Sequence, residues 1–302
     1  MQGILVVDKP RGPTSHDIVH AARRQLKMRR VGHAGTLDPM ASGVLLLLLG
    51  EATKLSGYLT LDAKRYRARV ELGAATDTLD ALGDVTSRVE LSPGWLERAA
   101  VDAALRSERA RQLQIPPAFS AISVGGQRAH RLSRRGAPPV LEPRPVAVHQ
   151  LDLLEVGPSS LTLELHVSKG YYVRALARDI GEHLGVPAHL GELRRLSSGP
   201  FTLEEAVGWP LPSEVAPLSL LTVARRCLPC GRLTEEGSRR ARLGQRLGEE
   251  HFAELPNGTG QPESVAAWIG ADDTLLALGQ RRNENEYRVV RGFRDDSDGG
   301  TQ

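Results

Sequence analysis

Gly32-His33-Ala34-Gly35-Thr36-Leu37-Asp38-Pro39-Met40-Ala41-Ser42-Gly43, running directly into Val44-Leu45-Leu46-Leu47-Leu48-Leu49, is the most informative stretch of the chain. The first part reads as a glycine-rich loop. The second reads as a buried strand, because a short unbroken apolar run bounded by turn residues fits a strand covered on both faces. Gly32, Gly35 and Gly43 let the backbone approach a bulky partner, and Pro39 drives Asp38 into extended backbone. Ala41 and Ser42 leave room beside the carboxylate. A reacting group needs this arrangement of one fixed side chain above a rigid anchor. On the residues alone, however, an Asp in a Gly/Pro loop is more often a turn former.

Upstream, Gly3 to Asp8 is an apolar run stopped by Lys9-Pro10, which predicts a strand and then a turn. Thr14-Ser15-His16-Asp17 precedes a helix-compatible stretch reaching about Arg30, with Thr14 or Ser15 as its N-cap. Downstream, Tyr66, Ala68, Val70 and Leu72 alternate with Arg65, Arg67, Arg69 and Glu71, the period of a half-buried strand with a basic outer face. A polar loop over Gly73 to Gly83 and a helix from Trp95 to Arg106 follow. Residues 115–146 are rich in Pro, Gly and Arg and too long for an ordinary connection, which predicts a functional insertion. Strands over His149–Leu154 and Leu161–Val167 and a helix over Arg174–Leu184, ended by Gly185 and Pro187, complete this part.

Strands and helices alternate without a βαβ period, which favours an α+β fold over a doubly wound sheet. Composition changes near Trp209–Pro217. Beyond it, a helix around Thr234–Leu243 and short strands around Val265–Ile269, Thr274–Leu278 and Tyr287–Val290 predict a small, mostly β domain. The expected organisation is residues 1–225, residues 226–293, and a polar, acidic, disordered tail over 294–302.

With 302 residues and 40% hydrophobic content, the chain can bury one substantial core and a smaller second one. The positive charge is almost all arginine, with five lysines. Arginine suits phosphates and flat bases, although a biased genome makes the same exchange. Val44–Leu49, the longest apolar run, is too short to span a bilayer, and no secretory signal is visible, so a cytoplasmic protein is expected. Cys227 and Cys230 lack the partners for a disulfide framework or a structural zinc and read as simple thiols. No GxGxxG, P-loop, HExxH or Cys/His cluster occurs, and neither cofactor nor metal is expected.

Gly35-Thr36-Leu37-Asp38-Pro39-x-Ala41-Ser42-Gly43, with Val6-Val7-Asp8-Lys9-Pro10-x-Gly12-x-Thr14-Ser15 upstream, resembles the signature of the TruB family of tRNA pseudouridine synthases. Further motifs follow in the family's order. These are Lys64-Arg65-Tyr66-Arg67, Thr76-Asp77-Thr78-x-Asp80-x-x-Gly83, Ser168-Lys169-Gly170-x-Tyr172-x-Arg174 and Leu193-Arg194-Arg195-Leu196. The resemblance implies a pseudouridine synthase fold, with a mixed, largely antiparallel sheet and a small C-terminal PUA-like RNA-binding domain. It makes Asp38 the catalytic nucleophile, Tyr66 the ring that stacks on the target base, and Tyr172 a second substrate contact. Arg174 becomes the partner of the aspartate, Leu193 a wall of the uracil pocket, and His33 an exposed loop residue that wedges into the RNA. Read singly, Tyr66, Tyr172 and Leu193 are equally ordinary core residues and Arg174 an ordinary surface charge.

The resemblance further implies an isomerase that converts the T-loop uridine of tRNA, position 55, to pseudouridine after flipping it out of the RNA. The carboxylate attacks either the sugar C1′ or C6 of the base, and the sequence leaves both open. Either route uses the ionised form, which a paired arginine favours. The expected partner is the T-arm stem-loop of tRNA, with no membrane and no metal, and the expected state is a monomer. The chain departs from the family's pattern at Phe119, Ser123 and His130, within the insertion, where Arg128, Arg131, Arg134 and Arg135 still supply a basic flank. A non-catalytic RNA-folding factor with the same surfaces is the competing reading, separable by Asp38→Asn.

Overall fold

The computed structural model describes residues 1–60, 63–120, 122–137, 139–257, 264–283 and 285–294. The expected tail lies, past Arg294, outside the described residues, as does the side chain of His130. The amino-terminal sheet is built on β1 (Gly3–Lys9), β2 (Val31–Ala34), β3 (Ala41–Leu49), β4 (Lys64–Leu72), β5 (Val148–Val156), β6 (Ser160–Val167) and β7 (Ala188–Ser198). Their order is β1-β3-β7-β4-β6-β5, with β2 also on β3 and the short strand Phe201–Thr202 on β7. All pairs are antiparallel except one, where Leu193–Arg195 runs parallel to Ala41–Gly43. The fold is thus mixed α+β with a largely antiparallel sheet, as the sequence predicts.

β3 lies at the centre because every side chain from Val44 to Leu49 is apolar and at most 1% exposed. Burying each such leucine contributes about 2 kcal/mol, so the run is a strong anchor for the loop it leaves. On one face Leu45, Leu47 and Leu49 join Leu5, Val7, Val70, Leu163 and Leu190. Helices α1 (Ser15–Gln25), α2 (Arg98–Arg109) and α3 (Val173–Leu184) contribute Ile18, Val101, Leu105, Leu176 and Ile180 to the same cluster. On the other face Val44, Leu46 and Leu48 meet Phe201, the helix α4 (Leu220–Cys227), and Ala267, Leu275 and Leu278 of the carboxy-terminal sheet.

That second sheet has β8 (Cys230–Leu233), β9 (Phe252–Glu254), β10 (Val265–Ile269), β11 (Leu275–Asn283) and β12 (Glu286–Gly292), in the order β9-β8-β10-β11-β12. With helix α5 (Glu235–Arg242) it encloses its own cluster around Trp268, Phe252, Tyr287 and Leu276. The carboxy-terminal part is β-rich, as expected. Among the described residues no helix is long and apolar enough to cross a membrane.

Several elements differ from their predicted positions. α1 ends at Gln25 rather than Arg30, because Lys27 takes a positive φ of 52° and the chain turns into β2. α2 occupies Arg98–Arg109 rather than Trp95–Arg106. His33 lies in β2, paired with Leu47, not in an exposed loop; the strand forms because the edge of β3 is available to it. β7 has no counterpart among the predicted elements. Of the two N-cap candidates, Thr14 caps α1, accepting from Asp17 N–H at 3.1 Å, while Asp17 accepts from Thr14 N–H at 2.8 Å.

Candidate active site

Asp38 sits where the chain passes from β2 to β3, on a loop held from below by groups distant in sequence. The Ser15 hydroxyl accepts from Leu37 N–H at 2.9 Å and donates to the Leu37 carbonyl at 3.1 Å. Gly12 N–H donates to the Pro39 carbonyl at 2.8 Å. Beneath the loop Arg195 is fully buried, and its guanidinium donates to the carbonyls of Val44 at 2.6 Å and Gly35 at 2.7 Å. A buried cation is tolerable here because its donors are satisfied by backbone carbonyls, one at the start of β3 and one in the loop. Gly43 permits the approach: its φ is +100°, and a Cβ there would lie 2.2 Å from the Arg195 carbonyl oxygen.

Arg174, in the first turn of α3, reaches Asp38 from the opposite side. Its Nε lies 2.9 Å from Oδ2 and its Nη2 donates to Oδ1 at 3.4 Å. The remaining donors go to the carbonyls of Thr78 and Phe119, each at 2.9 Å. Asp80 Oδ2 lies 3.6 Å from Nη1, and the Asp80 carboxylate is itself held by the Thr78 hydroxyl at 2.9 Å and Leu82 N–H at 3.0 Å. The Arg174 side chain is only 7% exposed whereas that of Asp38 is 37% exposed. A carboxylate is therefore presented to solvent with its back pinned by a fixed, planar cation, an arrangement suited to nucleophilic attack on a substrate placed above it.

Tyr66, on β4, stands directly opposite Arg195 across the ladder, and Leu193 stands opposite Ala68 and beside Ala41. Both side chains are buried. Tyr172, half-buried just before α3, has its hydroxyl pKa raised, chiefly by burial, with Ser120 hydrogen-bonded to it and the charges of Arg174 and Asp38 close enough to be felt. Asp38, Arg174 and Tyr172 are thereby brought together, with Tyr66 and Leu193 on the adjoining strands. His33 lies apart, on β2, its ring edge-on to His16 at 5.1 Å. Burial, followed by the charges of His16 and Arg195, lowers its pKa from 6.5 to about 4.

Four residues outside the predicted site complete it: Ser15, Asp80, Arg195 and Lys9. Lys9 is fully buried and donates from Nζ to the carbonyls of Pro10 and Pro13 at 2.8 Å each. Burial lowers its pKa to about 8, against the opposing pull of Asp38. All four stand within the quoted motifs, which is the one signal that could have singled them out.

The insertion leaves and rejoins the domain through a short ribbon, Leu113–Gln114 paired with Arg144–Pro145. Beyond it, Ser123–Val124 pairs with Gln127–Arg128, and a short helix spans Ala129–Arg134. Gly126, Gln127, Arg128, Arg131 and Arg135 line a cavity of about 490 Å³. Of the departures from the family pattern, Phe119 meets Arg174 through its backbone carbonyl, which any residue supplies, and Ser123 is exposed on the hairpin. Burial raises the Cys230 thiol pKa, and both cysteines are unoxidised.

Residues 23–173 match the model of the TruB family pseudouridylate synthase N-terminal domain, and residues 174–209 that of the tRNA pseudouridylate synthase B C-terminal domain. The tRNA pseudouridine synthase B of Thermobifida fusca is 39% identical over 297 residues, covering 95% of this chain and 97% of that protein. That of Syntrophotalea carbinolica is 41% identical over 304 residues, covering 98% and 99%. In fold, the chain is similar to one in a Cbf5-Nop10-Gar1 complex, with a TM-score of 0.74 at 24% identity over 96% of this chain and 84% of that one. It is also similar to one in an H/ACA RNP bound to a substrate RNA containing 2′-deoxyuridine, with a TM-score of 0.73 at 22% identity over 97% and 85%.

Proposed function

The chain belongs to the TruB family of pseudouridylate synthases, and from that premise we propose that it isomerises the T-loop uridine of tRNA, position 55, with Asp38 as the nucleophile. The observation that carries the proposal is the pair formed by a solvent-facing Asp38 and a buried Arg174 held to Asp38, Thr78 and Phe119.

The uridine leaves its stack to reach the loop, and Tyr66 and Tyr172 offer rings against which an extruded base can rest. Asp38 then takes hold of the nucleotide, at C1′ with departure of N1 or at C6 of the ring. With the N1–C1′ bond broken by either route, the uracil turns and C5 joins C1′; the bond to Asp38 breaks, at C1′ as C5 displaces the carboxylate or at C6 by elimination, and the C5 proton is lost while N1 gains one. Arg174 keeps the carboxylate oriented throughout, and Leu193 walls the base. The arginines of the insertion and the β-rich unit over 226–293 hold the rest of the T arm. This reading makes the enzyme a cytoplasmic monomer.

The test is incubation of the purified protein with an unmodified T-arm hairpin and no added cofactor, followed by nucleoside analysis. One pseudouridine at the position-55 uridine is expected. Asp38→Asn is expected to bind the hairpin with unchanged affinity and form no product; product from that variant would overturn the assignment.

A further inference from the structure

The neck of the insertion touches the catalytic helix at one fully enclosed point. Gln114, in the ribbon from which the insertion departs, is 1% exposed. Its side-chain amide acts like a neighbouring strand: Oε1 accepts from Tyr172 N–H at 2.8 Å, and Nε2 donates to the Tyr172 carbonyl at 3.2 Å. Tyr172 is the N-cap of α3 and has no side-chain cap of its own, so its main chain is fixed by this pair of bonds together with the first helical ones. Two residues on, Arg174 makes its bonds to Asp38.

The same neck meets α3 again at two points. The Phe119 carbonyl accepts from Arg174 Nη2 at 2.9 Å, and the Ile115 carbonyl accepts from Arg178 at 3.3 Å. A rigid link therefore runs from the base of a basic, arginine-rich insertion into the first turn of the helix that aligns Asp38. A shift of the neck on RNA capture would move the Phe119 carbonyl that accepts from Arg174, and Gln114 is the side chain through which that movement reaches the helix backbone.

We propose that Gln114 is a positioning residue, which couples RNA capture by the insertion to the alignment of Arg174 on Asp38. The inference rests on the reading of Asp38 and Arg174 as the reacting pair. A misplacement of reacting groups by an ångström costs up to about 100-fold in rate, whereas a loss of RNA contacts alone is cured by more RNA.

Gln114→Met keeps the shape and removes both hydrogen bonds; Gln114→Glu keeps the acceptor and removes the donor. Single-turnover rates on a T-arm hairpin at saturating protein, hairpin affinity and melting midpoint are measured for each. Gln114→Met is expected to lose roughly 30-fold or more in the saturated rate with affinity within about threefold of the parent and a melting midpoint lowered by the loss of the two enclosed bonds but still above the assay temperature, and Gln114→Glu to fall between them. Arg131→Ala provides a second measurement should the methionine variant fold poorly. Coupling predicts that it lowers the saturated rate as well as affinity, and that its rate effect is not additive with that of Gln114→Glu. Saturated rates equal to the parent in both Gln114 variants, or an Arg131→Ala defect fully cured by saturation, would overturn the proposal. Absence of product from the unmodified protein would instead overturn the reading beneath it.

Discussion

Ser15 and Leu37 exchange two hydrogen bonds through one hydroxyl, which serves both the amide and the carbonyl of the residue preceding Asp38. Twenty-two positions separate them in the chain, and the pair ties the start of α1 to the Asp38 loop. The hydroxyl is buried, so its removal leaves two backbone groups without a partner. Ser15→Ala is expected to cost about 2 kcal/mol in urea unfolding and to slow product formation at saturating RNA. Unchanged stability would mean that water replaces the hydroxyl.

Arg174 distributes its donors among Asp38, Thr78 and Phe119, a planar fork that a lysine ammonium cannot reproduce. Arg174→Lys keeps the charge and loses the orientation. The expected result is a fall of roughly 100-fold in the single-turnover rate with hairpin affinity retained. A lysine variant with the parental rate would show that charge alone suffices.

Gly43 lies where β3 and β7 meet most closely, and a methyl group there would fall 2.2 Å from the backbone oxygen of Arg195. The positive φ adds strain for any other residue. Gly43→Ala is expected to destabilise the fold by about 3 kcal/mol or more, read as a lowered melting temperature, with activity lost in proportion. A variant melting at the parental temperature would contradict the close approach of the two strands.

His33 gives a pH signature. Its folded pKa is lowered from 6.5 to about 4, so across that interval the unfolded chain binds the proton more readily than the folded one. The stability that depends on neutral His33 is thus complete above 6.5 and is lost as pH falls towards 4. Compared with His33→Gln, the parent is expected to lose stability between about pH 6.5 and pH 4, measured by urea midpoints across the range. A difference between the two proteins that does not vary with pH would refute the burial of this ring.

The parts of the fold most legible in the sequence are those where hydrophobic pattern alone decides the outcome. The unbroken run at Val44–Leu49 and the alternation from Lys64 to Leu72 both became strands where predicted. β7 was opaque because its apolar period is broken twice: by Gly191 beside a register shift, and by the fully buried Arg195 beside another. A charged residue reads as surface unless the acceptors that bury it are known, and those of Arg195 come from a loop about 150 residues earlier. Lys9 also reads as surface, although its acceptors, the carbonyls of Pro10 and Pro13, are local. The flanking Gly32 and Gly35 make His33 read as exposed loop, whereas its strand character comes from the edge of β3. In the candidate site, the motifs point to Asp38, Tyr172 and Arg174, while the props that hold the loop are visible only once the sheet is assembled.

The parallel seam between Ala41–Gly43 and Leu193–Arg195 sets an order on the birth of the enzyme. During translation the loop bearing Asp38 emerges early, yet the guanidinium that underpins it is made only after Arg195 has been added. A nascent chain halted before that point holds Asp38 and the Ser15 and Gly12 supports of its loop but lacks the guanidinium beneath it. A product ending short of residue 195 is therefore expected to hold this loop without its buried cation, and adding the missing strand in trans is expected to restore the loop's order.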